Sequence, residues 1–430
     1  MCVLQYSWVG LGVGVVKIAR ANRRALFFEF IRYTLIKLIP GLGNLVFVFY
    51  LTVHLADQYA DYALLFYLGL TVSAYSSMWL KQGVLRYGFV QDERAYQELL
   101  FWGFLIFVCA SLFCAGVVHF VLGVDVGGVV SCGFIAFAFC VQNSVYSIWQ
   151  SQFRSGLILA GEVVRVFMLL SGCVALNALS LLSVESVSAL FFLTMLLPIA
   201  KEFFCGLSVG AVGGRGEALL RGYVTFGAPL SVLVGLQTSV WFFDKYLVRA
   251  FFGDSVLSYY APISDMSVKT FSVLLVPLVM QTQPHLVKVF NEQGFVDAFQ
   301  LLRKLVLVQI ASLAVVFVGV FFLSEYLVTW MWGEDYLPYA NILVLSVVSG
   351  GVWQLSMMLN KALELLEETR LLLVFMFSAF FAFFIVVLCL KDSFGVFSVA
   401  WAVVVSATIY SGLVYARSAY RYNLVVSGRC

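Results

Sequence analysis

Charge is what this chain has least of. Asp, Glu, Lys and Arg together make up 11% of its 430 residues, against about 25% in an ordinary soluble domain. Proline is sparse too, at 7 residues, and the 3 histidines (His54, His119 and His285) are too scattered to form a metal-ligand motif. None of the 9 cysteines belongs to a CxxC pair, and most sit inside apolar runs, so they read as small buried hydrophobes and not as a disulfide frame or metal centre. No GxxxxGK[ST] loop is present, which argues against direct use of ATP. No polar stretch is long enough to fold alone, so a soluble catalytic domain is excluded. What remains is hydrophobic: 62% of residues, with a mean hydropathy of +0.98.

The apolar residues fall into twelve runs, each near the roughly 20 residues that an α-helix needs to cross a bilayer. They cover 33–54, 62–80, 99–121, 127–148, 157–179, 187–208, 223–244, 259–282, 305–326, 338–359, 371–390 and 395–416. The expected fold class is therefore all-α: a polytopic membrane protein of about 12 transmembrane helices. Threading the chain back and forth puts 22 of the 26 Lys and Arg residues on one side. Lys245, Arg249 and Lys391 go to the other side, and Lys269 lies within a span. The positive-inside rule makes the first side cytoplasmic, with both termini there. The apolar start (1–16) precedes its basic cluster (Lys17, Arg20, Arg23, Arg24), the reverse of a secretory signal. It reads as a cytoplasmic or interfacial segment.

The chain divides into a segment 1–32, a six-helix lobe 33–210, a cytoplasmic linker 211–222, a second six-helix lobe 223–416 and a cytoplasmic tail 417–430. Asp57 and Tyr62 after span one match Asp254 and Tyr259 after span seven at a common offset, as a parallel tandem repeat would give. Chance similarity between two short loops is the alternative.

An ionisable residue inside a span costs roughly 2.5–3.5 kcal/mol on insertion scales, so it faces protein or water. Asp265 and Lys269 are four apart and able to pair; Glu162 and Arg165 are three apart. A hydrated cationic cavity would draw on Lys37, Arg86, Arg165 and Lys269, and would accept an anionic group. Glu162, Asp244 and Asp265 are candidates for binding a coupling ion, H+ or Na+. The alternative is structural, with snorkelling at span ends and neutral packing pairs. Pro40, Pro229, Pro262 and Pro277 are candidate hinges. The polar aromatic face Gln142-Asn-Ser-Val-Tyr146-Ser-Ile-Trp149-Gln150-Ser-Gln152 closes span four; an interfacial belt explains Tyr146 and Trp149, and a sugar contact is the alternative.

Four stretches carry a family resemblance: Arg86-Tyr-Gly; Phe226-Gly-Ala-Pro229-Leu; Asp244-Lys-Tyr-Leu-Val-Arg-Ala-Phe-Phe-Gly253 into Tyr259-Tyr260; and Trp332-Gly-Glu-Asp-Tyr336. In their order and spacing the chain resembles the polysaccharide flippases, the Wzx-type O-antigen transporters of the multidrug/oligosaccharidyl-lipid/polysaccharide superfamily. Ser258 stands where the family usually has Gly, and the N-terminal lead-in is longer than the family's. The resemblance implies two six-helix lobes around a central cavity lined by spans one, two, seven and eight. It implies an undecaprenyl-pyrophosphate-linked oligosaccharide as substrate, moved between leaflets of the bacterial inner membrane without a cofactor. The expected partners are that substrate, membrane lipid and other polysaccharide-assembly membrane proteins; nucleic acid is not among them, and a monomer is expected. A cation-coupled multidrug exporter of the same superfamily would share the fold. A membrane polysaccharide polymerase would carry a large external loop, which this chain lacks.

Overall fold

The computed structural model describes residues 23–87, 103–113, 116, 119, 126–152, 154–201 and 216–427. Side chains at 23–31, 33, 57, 86–87, 216–220, 267–285 and 288 are outside that description. Among the described residues, twelve helices follow in order: α1 Arg23–His54, α2 Tyr59–Tyr87, α3 Gly103–Phe113, α4 Val126–Ser151, α5 Ser155–Ala178 and α6 Val184–Leu196 in the first half. The second half holds α7 Gly216–Phe252, α8 Asp254–Gln293, α9 Phe295–Trp332, α10 Ala340–Leu365, α11 Thr369–Phe394 and α12 Phe397–Val426. They correspond one to one with the twelve apolar runs. Among the described residues, nine are long and apolar enough to cross a membrane, and two shorter apolar helices, Gly103–Phe113 and Val184–Ile199, accompany them. Helix is forced here because lipid offers no partner to a free backbone amide or carbonyl. The protein is an all-α, multi-pass membrane protein.

The helices run further than the apolar runs that announce them. α7 begins at Gly216, inside the expected linker, and α12 continues to Val426, inside the expected tail. The far-side connection after span seven shrinks to Gly253, whose φ of 89° suits glycine and stops α7 where α8 begins. Pro40, Pro229, Pro262 and Pro277 are expected to interrupt helices, yet α1, α7 and α8 pass through them unbroken. Membrane helices tolerate such prolines because neighbouring groups satisfy the freed carbonyls. Pro198 does lie in a break, the short 3-10 turn Leu197–Ile199 that ends α6.

Helices α1, α2, α4, α5 and α6 pack among themselves, and α7 to α12 form a second group. Two seams join the groups: α2 against α7, and α1 against α8. At the face far from the start of α1 and the end of α12, one hydrophobic core runs through both halves, from Leu51, Tyr59 and Tyr67 to Val248, Tyr260 and Ile263. Toward the terminal face the first half packs instead in two smaller clusters, around Trp79 with Tyr223 and around Trp149 with Ile158. Trp149, at 3% exposure, is thus a core residue and not part of an interfacial belt. The outside of the bundle is apolar: Leu307, Val315, Phe322 and Trp330 on α9 are all more than 60% exposed, as a lipid-facing helix requires. Near the terminal face, Glu368 ties the start of α11 to α12 through Arg417 (3.0 Å) and Arg421. Burial pushes the Glu368 carboxyl up, but the two guanidinium groups outweigh it and hold the group below its ordinary value.

The α2–α7 seam is close because glycine sits wherever the partner is bulky. Gly83 faces the Tyr223 ring, Gly235 faces the Tyr75 ring, and Gly227 lies against the Trp79 backbone. A Cβ built on Gly227 would stand 2.2 Å from the Trp79 carbonyl oxygen, and backbone cannot swing aside as a side chain can. Gly227→Ala is predicted to cost about 1–3 kcal/mol through overpacking. It should lower the unfolding temperature in detergent. Gly412→Ala, where the added methyl group meets nothing within 4 Å, should leave it unchanged.

Candidate functional site

The polar residues of the interior gather at two levels. The first lies at the far half of the seam. Asp265 on α8 and Asp244 on α7 flank the ammonium group of Lys245, at 3.0 Å and 3.4 Å, and Ser264 accepts a hydrogen bond from the same group at 3.2 Å. Asp265 also accepts from two tyrosines of α2 across the seam: Tyr59 at 2.9 Å and Tyr67 at 2.7 Å. The Lys245 nitrogen stands 4.1 Å from the centre of the Tyr67 ring, and Tyr260 donates to Asp244. Asp244, Lys245 and Asp265 are each buried, with Lys245 only 1% exposed. Counted as ionised, two carboxylates and one ammonium leave the described side chains of the group one negative charge in excess. Beside it is a cavity of about 20 Å³, with Ser264, Ser346, Ser349 and Gly350 in its wall, enough for one water.

This corrects one expectation. The end of the apolar run places Lys245 at the far-side surface. The helix continues to Phe252, which carries Lys245 two turns below the surface and into the core. Asp265 binds Lys245 of α7, a partner the sequence does not bring to it; the expected pairing of Asp265 with Lys269 falls on a side chain outside the described residues, as does that of Arg86.

Around the buried group the far face is closed by weaker ties. Arg249 on α7 reaches Asp61 of α2 at 3.0 Å and Asp254 at 2.7 Å. These ions are a third or more exposed, so each pair contributes at most about 1 kcal/mol. The Trp332 indole donates to Thr52 of α1 at 3.2 Å. The buried cluster is the stronger element, since leaving one of its charges unpaired costs about 3–5 kcal/mol.

The second level lies toward the terminal face and belongs to the first half. Arg165 on α5 directs both Nε and Nη2 to one oxygen of Glu162, each at 2.8 Å, and Gln142 of α4 donates to the other oxygen at 3.2 Å. Both charged side chains are buried, yet Nη1 of Arg165 has no hydrogen-bond partner among the described residues. Lys37 of α1 is half-buried and lies within Coulomb reach of Glu162 and Arg165. Lys81 of α2 comes next, within reach of Lys37 and donating to Asn143 at 3.3 Å. Three of the residues singled out from sequence, Lys37, Glu162 and Arg165, therefore meet. Gln142 and Asn143, from the polar stretch that closes span four, join them, and so does Lys81, which does not stand out in the sequence as a site residue. The signal for Lys81 is its place in the last turns of an otherwise apolar helix, where it passes for a surface charge.

No family model matches the chain, and no curated protein does. Solved structures match its fold. An inward-facing multidrug resistance MATE family transporter of the MOP superfamily aligns at a TM-score of 0.70 with 10% identity, covering 90% of this chain and 96% of its own. A mutant of the Vibrio cholerae MATE transporter VcmN aligns at 0.61 with 14% identity, over 94% and 98%. The eukaryotic MATE transporter AtDTX14 aligns at 0.60 with 13% identity, over 93% and 98%. The chain has the fold of these MOP-superfamily transporters over nearly its whole length.

If the buried charges hold the far face shut, removing the acceptor on α8 must loosen it. Spin labels at Ser180 and Asp392 would report the separation of the two halves at that face. Asp265→Asn, and Tyr59→Phe combined with Tyr67→Phe, should each shift the distance distribution to longer values. Gln300→Ala, at the opposite end of the protein, should not.

Proposed function

We propose that this protein is a flippase for a lipid-linked oligosaccharide, moving an undecaprenyl-pyrophosphate-linked glycan from the cytoplasmic to the periplasmic leaflet of a bacterial inner membrane by alternating access. Both termini are then cytoplasmic, and the terminal face is the loading side. The observation that carries this reading is the patch of Lys37, Lys81 and Arg165 in the first half, offset by one carboxylate, Glu162. A buried surplus of positive charge repels a cationic drug and attracts a phosphate-bearing headgroup. Arg86 and Lys269 are further candidate cations of the same cavity. Closure of the far face around Asp265 and Lys245 suits a state that loads from the cytoplasm, and the resemblance to an inward-facing relative supports the same state. The polyprenyl tail would stay in lipid while the polar glycan passes between the lobes.

The second reading is a cation-coupled multidrug exporter. It is favoured by the names of the solved structures and by the net negative charge around Asp244 and Asp265. In either reading those two aspartates, with Glu162, are the candidates for coupling to H+ or Na+, and the prolines of α1, α7 and α8 are candidate hinges.

The experiment is complementation of a bacterial strain lacking its own O-antigen flippase. Wild type should restore surface polysaccharide. Lys37→Ala combined with Lys81→Ala, at equal expression, should reduce it by about tenfold or more, the scale of one lost charge–charge contact of 1.4 kcal/mol. Failure of wild type to restore polysaccharide, together with efflux of a lipophilic cationic dye, would favour the exporter.

A further inference from the structure

We propose that Glu162 sets the charge of the anion accepted by the patch in the first half, and so separates a diphosphate diester from a diphosphate monoester. The proposal rests on the flippase reading. Its starting point is the unequal use of Arg165. Nε and Nη2 are both spent on one oxygen of Glu162, at 2.8 Å each. Nη1 is buried and has no acceptor among the described residues. An N–H group buried without a partner costs about 1–3 kcal/mol, which a ligand oxygen would recover. Glu162 does not serve it; its other oxygen accepts from Gln142 at 3.2 Å. Tyr146, whose hydroxyl lies against Gly161, is the further titratable group beside this pair. The free donor belongs to a side chain that is only 4% exposed, and it shares its patch with the ammonium groups of Lys37 and Lys81.

The charges then count out simply. Among the described side chains of the patch there are three cations and one carboxylate, a surplus of two. A diphosphate esterified at both ends carries two negative charges and would balance the described side chains. A diphosphate esterified at one end carries more, because its terminal phosphate alone holds about −1.5 to −2 at neutral pH. In a site shielded from water, an unbalanced charge is costly. A carrier lipid bearing its glycan is a diester; the same carrier without the glycan is a monoester. Glu162 thus acts as a built-in counter-anion that lets the loaded carrier bind and disfavours the bare one. Without that negative charge the surplus rises to three and the preference moves toward the monoester. The direction of this change holds whatever other cations join the patch, since it depends only on the loss of one negative charge.

The test uses the full chain in detergent and two probes, farnesyl diphosphate as monoester and difarnesyl diphosphate as diester, with affinities read by native mass spectrometry. Wild type sets the reference ratio of diester to monoester affinity. Glu162→Gln should move the diester-to-monoester ratio toward the monoester by about tenfold, the scale of one added charge at a few ångströms near a protein surface. Glu162→Asp, which keeps the charge, should retain the wild-type preference. An unchanged ratio in Glu162→Gln, or one that moves toward the diester, overturns the proposal; both leave the flippase reading standing. If wild type binds neither diphosphate but does bind tetraphenylphosphonium, the flippase reading fails and the proposal with it.

Discussion

The closed far face depends on a lysine kept out of water. Lys245 sits at the meeting point of α7, α8 and α2, and its charge is tolerated only because Asp265, Asp244, Ser264 and the face of Tyr67 surround it. Taking an ammonium group out of water is expensive, so such a cluster does little for net stability compared with an apolar core. What it supplies is an all-or-none contact. Asp265 holds Lys245 of its own half and two tyrosines of α2, so separating the lobes at this level must leave the two tyrosine hydroxyls without their acceptor and strip the Tyr67 ring from Lys245, or admit water to them. The glycine-lined seam between α2 and α7 completes the closure with close, dry packing.

The two polar levels carry opposite surpluses. The far cluster is negative by one charge, and the terminal-side patch of the first half is positive by two among the described side chains. In a low-dielectric interior this arrangement attracts an anion to the terminal side and opposes its passage while the far cluster is closed. The arrangement also shows why the chain can be so poor in charge. A few ions suffice where water does not screen them.

Much of the architecture is legible in the amino-acid order itself. Apolar runs fix the number of membrane helices because lipid leaves the backbone no alternative to internal hydrogen bonding, and each of the twelve runs has its helix. Helix ends are less legible. Hydrophobicity marks where lipid begins, and not where a helix stops, so Gly216 to Gly222 and Arg417 to Val426 read as linker and tail although both are helical. The same ambiguity hides Lys245. Glu162 and Arg165 can be paired from their spacing along one helix, but the partners of Asp265 cannot, because Tyr59 and Tyr67 are 206 and 198 positions away in sequence. Lys81 escapes notice for a related reason: a basic residue near a helix end looks like a surface charge until the neighbouring helices are in place.

The central claim is that transport requires the far face to open about the Asp265–Lys245 cluster. The most direct measurement is flipping in proteoliposomes by Asp61→Cys, Arg249→Cys, two positions in contact across that face, in a background without other reactive cysteines. With a short bismaleimide bridge, the account predicts that transport stops while diphosphate binding from the terminal side persists. The unbridged double variant should transport normally. Transport that continues undiminished through the bridge would contradict the account.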